Sequence, residues 1–352
     1  MTATLSKKII GGMFGLESFQ PPGDPRAVQS PRFLLGRQIK LATGRSAFRL
    51  LESFLAPKTV WMPSYLCGVV LGAFRTARVR FYPIDEHLCV AADNWLAEVA
   101  PGDFVVFIDY FGFNLWSEWG AEARRRGAWI VEDACQAMLN AEFCQHAHYV
   151  IFSPRKFVGV PDGGILLAQG ESSLPEPQLP PPPTGWWLEA FEASRLRGEF
   201  DRHGGDRRWF DLFRNTDPSG PIEPVRMSEL TSLLLLHAIN FTEVARRRRE
   251  NYLVMAGALA KFAMFPTLPE TVVPLGFPVR LSDREVVRQA LFQHEIYPPV
   301  HWPIQDIVPE KFHASHRLAG DIMTIPCDQR YSTNDMEGAE GVFRRLKPAH
   351  IR

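Results

Sequence analysis

Two short motifs in this chain of 352 residues carry side chains that can do chemistry together. In the first, Val131-Glu132-Asp133-Ala134-Cys135-Gln136, an apolar run ends in a carboxylate. In the second, Phe152-Ser153-Pro154-Arg155-Lys156 ahead of Pro161-Asp162-Gly163-Gly164, an apolar run ends in a lysine-bearing turn. Parallel strands deliver functional groups at their C-terminal ends, so both motifs are expected at one edge of a sheet. A lysine amine forms a Schiff base with a carbonyl, and a strand-end carboxylate is held ionised by a cationic partner such as a protonated pyridine ring. Together they point to pyridoxal phosphate, with Lys156 as the attachment point and Asp133 as the partner of the ring nitrogen. Lys156 is the only lysine between Lys58 and Lys261 and has no rival in that stretch. Asp133 is also placed to cap a segment beginning at Ala134.

That cofactor further needs a phosphate cradle and a flat group against its ring. Ala42-Thr43-Gly44-Arg45-Ser46-Ala47-Phe48 opens an amphipathic helix on a glycine turn, where backbone N–H groups and the helix dipole favour an anion. Many helices begin this way, so the segment counts only in company with the other motifs. Tyr65, in Trp61-Met62-Pro63-Ser64-Tyr65-Leu66-Cys67, and Phe111, in Asp109-Tyr110-Phe111-Gly112, follow strands and are candidate ring-stacking aromatics. In a chain that is 12% aromatic, either also reads as core.

Strands must hold these motifs in place. Apolar runs at Val60-Trp61-Met62, Val79-Arg80-Phe81-Tyr82, 104–108, 128–131, 149–152 and 164–167 alternate with candidate helices at 46–55, 65–75, 115–126 and 134–140. That order predicts βαβ units and an α/β fold with a mostly parallel sheet. Prolines then crowd 174–183 as a stiff surface excursion, and 186–213 reads as helix plus loop rich in arginine and aromatics. Arg195, Arg197, Arg207, Arg208 and Trp209 there would suit a diphosphate and a ring, or an aromatic-anchored loop. Ser228 opens a helix expected to run through 228–259, and Ser282-Asp283 precedes another. We therefore expect a large domain at 1–215 and a smaller α+β domain at 216–352.

Composition narrows the function classes. Lys+Arg and Asp+Glu number 39 each, which argues against a nucleic-acid binder relying on bulk charge. The run Arg246-Arg247-Arg248-Arg249, flanked by Glu243 and Glu250, reads as a solvated helix face. Five scattered cysteines without a CxxC indicate neither a disulfide framework nor a zinc site and suit a reducing cytoplasm. The sequence has neither a signal-peptide pattern nor an apolar stretch long enough for a membrane span, so a soluble chain is expected.

The order of motifs resembles the DegT/StrS-type sugar aminotransferases, a branch of the fold-type-I pyridoxal-phosphate enzymes. The resemblance runs through ATGRSAF, WMPSYLCG, IDYFGF, VEDACQA, FSPRKFVGVPDGG, VRMSEL with RRRRENY, and VHWP with TIPCDQRYSTNDM. It implies a three-layer α/β/α large domain on a seven-stranded sheet, a smaller C-terminal domain, and a homodimer with sites at the subunit interface. It makes Lys156 the Schiff-base lysine, Asp133 the partner of the pyridine nitrogen and Gln136 a partner of the ring hydroxyl. Gly44, Arg45 and Ser46 fall at the phosphate loop, Tyr65 at the stacking aromatic, and His301 in a motif that reaches the mouth of the site. Two positions depart from the pattern. The serine usual five residues before the lysine is Ile151, which Ser153 would replace, and an asparagine usually lent to the partner's phosphate is Pro224.

The resemblance thus implies transfer of an amino group from an amino acid such as glutamate to a keto sugar, typically nucleotide-linked. Two other readings remain open. A sugar dehydratase would replace the lysine with histidine, and a non-catalytic binding or regulatory member would be consistent with the altered phosphate positions.

Overall fold

The computed structural model describes residues 9–19, 30–92 and 94–348. Its centre is a seven-stranded sheet, whose strands number from β2 because a two-residue strand, β1 (Ile10–Gly11), precedes it. The strands are β2 (Gln38–Leu41), β3 (Thr59–Pro63), β4 (Arg78–Tyr82), β5 (Phe104–Ile108), β6 (Trp129–Asp133), β7 (Tyr149–Phe152) and β8 (Gly164–Ala168). They lie in the order β2-β8-β7-β6-β5-β3-β4. Only β8 runs against its neighbours, pairing antiparallel with both β2 and β7. Because β8 reverses direction between them, β2 and β7 end at the same edge, where β6, β5 and β3 also end. Every residue of β5 is buried, as are those of β7 and β8, which is the pattern of strands covered on both faces.

The sequence pattern located six of these strands but not β2. Its residues, Gln-Ile-Lys-Leu, are mostly half-buried at the sheet edge, so no apolar run marks it. Helix α1 (Gly44–Leu55) follows β2, and α2 (Ser117–Arg125) precedes β6. The expected helix at 65–75 is a 3-10 segment over Gly68–Ala73, and 134–140 forms turns rather than a helix.

Past the proline-rich excursion, α3 (Thr184–His203) and α4 (Arg208–Ser219) pack as a helical hairpin. The single helix expected over 228–259 is two: α5 (Glu229–His237) and α6 (Phe241–Leu259). Asn240 accepts from Glu243 N and starts a new helix where the first ends, the capping habit of asparagine. The remaining elements are β9 (Phe277–Arg280), α7 (Arg284–Phe292), β10 (Ile296–Tyr297), α8 (His313–Asp321), β11 (Ile322–Ile325) and α9 (Thr333–Arg345). β9 pairs antiparallel with β11, and β10 pairs in parallel with β1, so Ile10–Gly11 join the C-terminal portion rather than residues 1–215.

The segment from Gly11 to Glu17 then straps back across the lysine loop. Gly11 N donates to Tyr331 Oη (2.7 Å), Leu16 N to Ser194 O (2.8 Å) and Glu17 N to Gly159 O (2.8 Å). The approach is so close that a Cβ on Gly159 would stand 1.7 Å from Gly15 O. The arginine run is split in character. Arg246 and Arg247 pair with glutamates on the helix surface, whereas Arg248 is fully buried and donates to the carbonyls of Phe157, Pro274 and Leu275 and to Gln329 Oε1. The solvated-face reading therefore fails for Arg248. A guanidinium out of water is kept only where acceptors surround it.

Candidate active site

Sheet topology brings five of the sequence motifs to one edge. Thr43-Gly44 follow β2, Tyr65 follows β3, Tyr110-Phe111 follow β5, Asp133 through Gln136 end β6, and Ser153 through Lys156 follow β7. Asp133 pairs in register with Ile108 on one side and Ile151 on the other.

Lys156 closes a 3-10 turn begun by Pro154, whose fixed φ suits a first helical position. Phe157 O anchors that turn by accepting from Gln329 Nε2 (2.7 Å) and Arg248 (3.1 Å). The lysine side chain is exposed to water. Desolvation lowers its proton affinity, and Cys135, Asp133, Cys67 and Asp217 more than offset this, leaving its pKa above the ordinary lysine value. Burial also pushes both thiols up, so they are uncharged near neutrality and the attraction comes from the two carboxylates. The amine makes no hydrogen bond to protein among the described residues.

Asp133 Oδ1 accepts from Cys135 N (3.0 Å), and the Cys135 thiol also lies against this carboxylate. Gln136 is buried, and its Oε1 accepts from Phe111 N (2.6 Å), pinning a tight turn in which Phe111 has φ 57°. Its Nε2 is buried with no partner. An orphaned buried amide N–H costs about 1–3 kcal/mol and marks a place where an acceptor belongs. Lys156, Asp133 and the unpaired Nε2 of Gln136 therefore match what a pyridoxal ring requires: an amine, an acid for its nitrogen and a donor for its hydroxyl.

Glu132 lies on the opposite face of β6, in keeping with strand alternation. It forms a wholly buried carboxyl pair with Asp109, whose Oδ1 accepts from Trp116 Nε1 (2.8 Å). Burial and the Asp109 charge push Glu132 well above the carboxylate range, and burial raises Asp109 to about 6. Glu132 Oε2 accepts from Cys144 N, while Oε1 has no N–H partner. A proton kept on Glu132 and donated to Asp109 satisfies both groups.

The expectations for the ring face and the phosphate end fare differently. Tyr65 is completely buried between Tyr110 (5.7 Å) and Trp302 (5.5 Å), and Phe111 is equally buried, so neither offers an open face. At the start of α1, Thr43 is the N-cap and accepts from Ser46 N. Ser46, fully buried, donates to Pro221 O and Glu223 O, and Thr43 Oγ1 donates to Pro221 O. Arg45 donates to Asp217 O and Pro218 O, both at 2.8 Å. The side chains of Arg45 and Ser46, expected to face a phosphate, are thus turned to the 217–223 connector. Gly44 lies over Cys135 and Ile151. Ser153, two residues past Ile151 and on the same face, makes no hydrogen bond through its hydroxyl among the described residues.

His301 comes from the loop after β10, and its Nδ1 lies 3.0 Å from Thr324 Oγ1. Burial, and then the charge of Lys156, push its pKa down to about 3, and its ring meets that of Phe111 edge-on at 5.5 Å. The arginine-rich segment is spoken for elsewhere: Arg195 pairs with Glu192 and Glu199, Arg197 with Asp201, and Arg207 with Glu295, while Trp209 is buried under Arg197. Arg197 is buried in its pair, whereas Arg195 and Arg207 are part-exposed.

Four residues near the lysine escaped the sequence reading. Arg155 adjoins it in the same turn, and that adjacency was the signal that could have found it. Cys67 and Cys135 stand beside the amine, although sequence showed them only as scattered thiols. Asp217 reaches the site from α4, and its local sequence carries no sign of it.

No protein-family model and no curated protein sequence matches this chain. Solved structures do. One is DesI in the presence of its TDP-sugar product, at 15% identity over 98% of this chain and 94% of that one, with a TM-score of 0.68. Another is NtdA from Bacillus subtilis with bound cofactor PMP, at 17% identity over 89% and 74%, TM-score 0.63. A third is a DegT DnrJ EryC1 StrS aminotransferase from Brucella abortus, at 17% identity over 90% and 87%, TM-score 0.60. Among the described residues no cluster could hold a metal, and no helix is long and apolar enough to cross a membrane. The likeness establishes the architecture: this chain has the fold of the DegT/StrS-type sugar aminotransferases.

Proposed function

We propose that the protein is a pyridoxal-phosphate-dependent aminotransferase that moves an amino group from an amino acid such as glutamate to a nucleotide-linked keto sugar. The observation that carries this reading is the buried, unpaired Gln136 Nε2 at the same sheet edge as Lys156 and Asp133. When bound, pyridoxal phosphate supplies an electron sink for the carbanion formed at the donor Cα. Asp133 would hold the proton on the ring nitrogen, and Gln136 Nε2 would donate to the ring hydroxyl. Lys156 Nζ would be the attachment point of the cofactor and, as a free amine, the group that takes the proton from the donor Cα and later returns one. His301, kept neutral by burial and the charge of Lys156, is placed to accept from or donate to substrate without adding charge. The sheet-bearing portion up to about residue 215 forms the floor, and residues 216–352, joined by Ile10–Gly11, form the opposite wall.

A homodimer is part of this reading. Leu233 and Leu236 on α5 are about half exposed (47% and 50%), which suits an apolar contact with a second copy. The free cysteines fit a cytoplasmic setting. Borohydride treatment of the protein loaded with pyridoxal phosphate should leave a pyridoxyl group on the peptide containing Lys156. Labelling elsewhere, or none, would end the proposal.

A second reading, a non-catalytic relative that binds the cofactor, is favoured by one observation: Thr43, Arg45 and Ser46 are engaged by the 217–223 connector. Release of 2-oxoglutarate from glutamate by the loaded protein decides against it. The dehydratase reading is opposed by the lysine itself.

A further inference from the structure

We propose that Arg155 is an anion-recognition residue of this site, and that Asp217 is an internal anion that holds its guanidinium until a phosphate or carboxylate oxyanion displaces it. The inference rests on the proposed function only in naming the source of that oxyanion.

Arg155 shares its 3-10 turn with Lys156, and its Nη2 meets Asp217 Oδ1 at 2.8 Å. Nε is buried and has no partner. In a guanidinium the Nε–H and the neighbouring Nη2 form one edge, the fork that a planar oxyanion grips with two parallel hydrogen bonds. Asp217 uses half of that edge and leaves the other half empty. Its carboxylate is 51% exposed against 20% for Arg155, and half-exposed ion pairs hold weakly, so an incoming anion displaces it at little cost.

Arg45 and Arg155 repel each other, Asp217 acts on Arg45 and pairs with Arg155, and Asp162 also acts on Arg155. Arg45 is held by the carbonyls of Asp217 and Pro218 and meets no carboxylate within ion-pair distance among the described residues. Thr43 and Ser46 spend their hydroxyls on Pro221 and Glu223, so Arg155 is the group with donors to spare. An oxyanion on Arg155 would be held by the same 3-10 turn that carries Lys156, and either the cofactor phosphate or the carboxylate of the amino donor could supply it.

Calorimetric titration of the full-length protein with inorganic phosphate tests the site without any lysine chemistry. Asp217→Asn should bind phosphate about tenfold more tightly than wild type, and Arg155→Gln about tenfold more weakly. Titrations with pyridoxal phosphate and with pyridoxal then separate the sources. If the anion is the cofactor phosphate, Arg155→Gln weakens only the phosphorylated form. If it is the donor carboxylate, Arg155→Gln leaves both cofactor forms alone and weakens glutarate binding to the loaded protein. Unchanged phosphate affinity in both variants overturns the proposal, and if Arg155→Gln does not fold, unchanged affinity in Asp217→Asn suffices. Failure here leaves borohydride labelling of Lys156 untouched, and failure of that labelling leaves phosphate binding to be read as it stands.

Discussion

Replacing Asp109 with asparagine should make the protein's stability less sensitive to pH, by an amount the site itself sets. Burial lifts the Asp109 carboxyl from 3.8 to about 6. A group raised in this way holds its proton more tightly folded than unfolded, so its stabilising contribution is full below the unfolded value and disappears as pH rises through about 6. The interval from 3.8 to about 6, at about 1.4 kcal/mol per pH unit, amounts to about 3 kcal/mol. Asparagine cannot ionise, keeps an acceptor for Trp116 Nε1, and can donate to Glu132. Wild type should therefore lose about 3 kcal/mol relative to Asp109→Asn between pH 3.5 and 7.5. At roughly 2 °C per kcal/mol, the two melting profiles should diverge by about 6 °C over that range. Thermal melts followed by circular dichroism in matched buffers give the comparison. Parallel profiles would refute the assignment of a shared proton to this pair.

His301 should report on Lys156. In Lys156→Ala its NMR titration should move upward from about 3 yet stay below 6.5, because burial is the larger cause and remains; an unmoved titration means the two are not neighbours. Arg248→Met strips the carbonyls of Pro274 and Leu275 of their donor while Phe157 O keeps Gln329. We expect a loss of about 3 kcal/mol in denaturant unfolding, and a loss below about 1 kcal/mol would contradict the role given to this buried guanidinium. Gly159→Ala places a methyl 1.7 Å from Gly15 O, so the strap should detach and cleavage within 11–17 should appear under limited proteolysis; unchanged resistance would count against the strap.

Some of this was legible in the chain and some was not. Strands β5, β7 and β8 were readable because strands buried on both faces are written as unbroken apolar runs. Strand β2 was not, because an edge strand lacks that run. The helix over 228–259 misread a change of direction as continuity: leucines fill α5 up to the break, and only the capping chemistry of Asn240 marks it. Arg248 looked like its neighbours in sequence, yet packing put it in the core and left Arg246 and Arg247 outside.

The site divides in the same way. The sequence alone put Lys156, Asp133 and Gln136 at or just past strand ends, and alternation along β6 sets the face that Asp133 takes. His301 and Asp217 reach the lysine only through tertiary structure, because they arrive from elements 145 and 61 residues away. The same holds for what the cradle residues do. Thr43, Arg45 and Ser46 stand at a helix start that sequence could place, but whether their donors face a ligand or a connector depends on where 217–223 crosses α1. Local sequence sets a group's position on its own element, and the packing of distant elements decides which of its hydrogen bonds remain free.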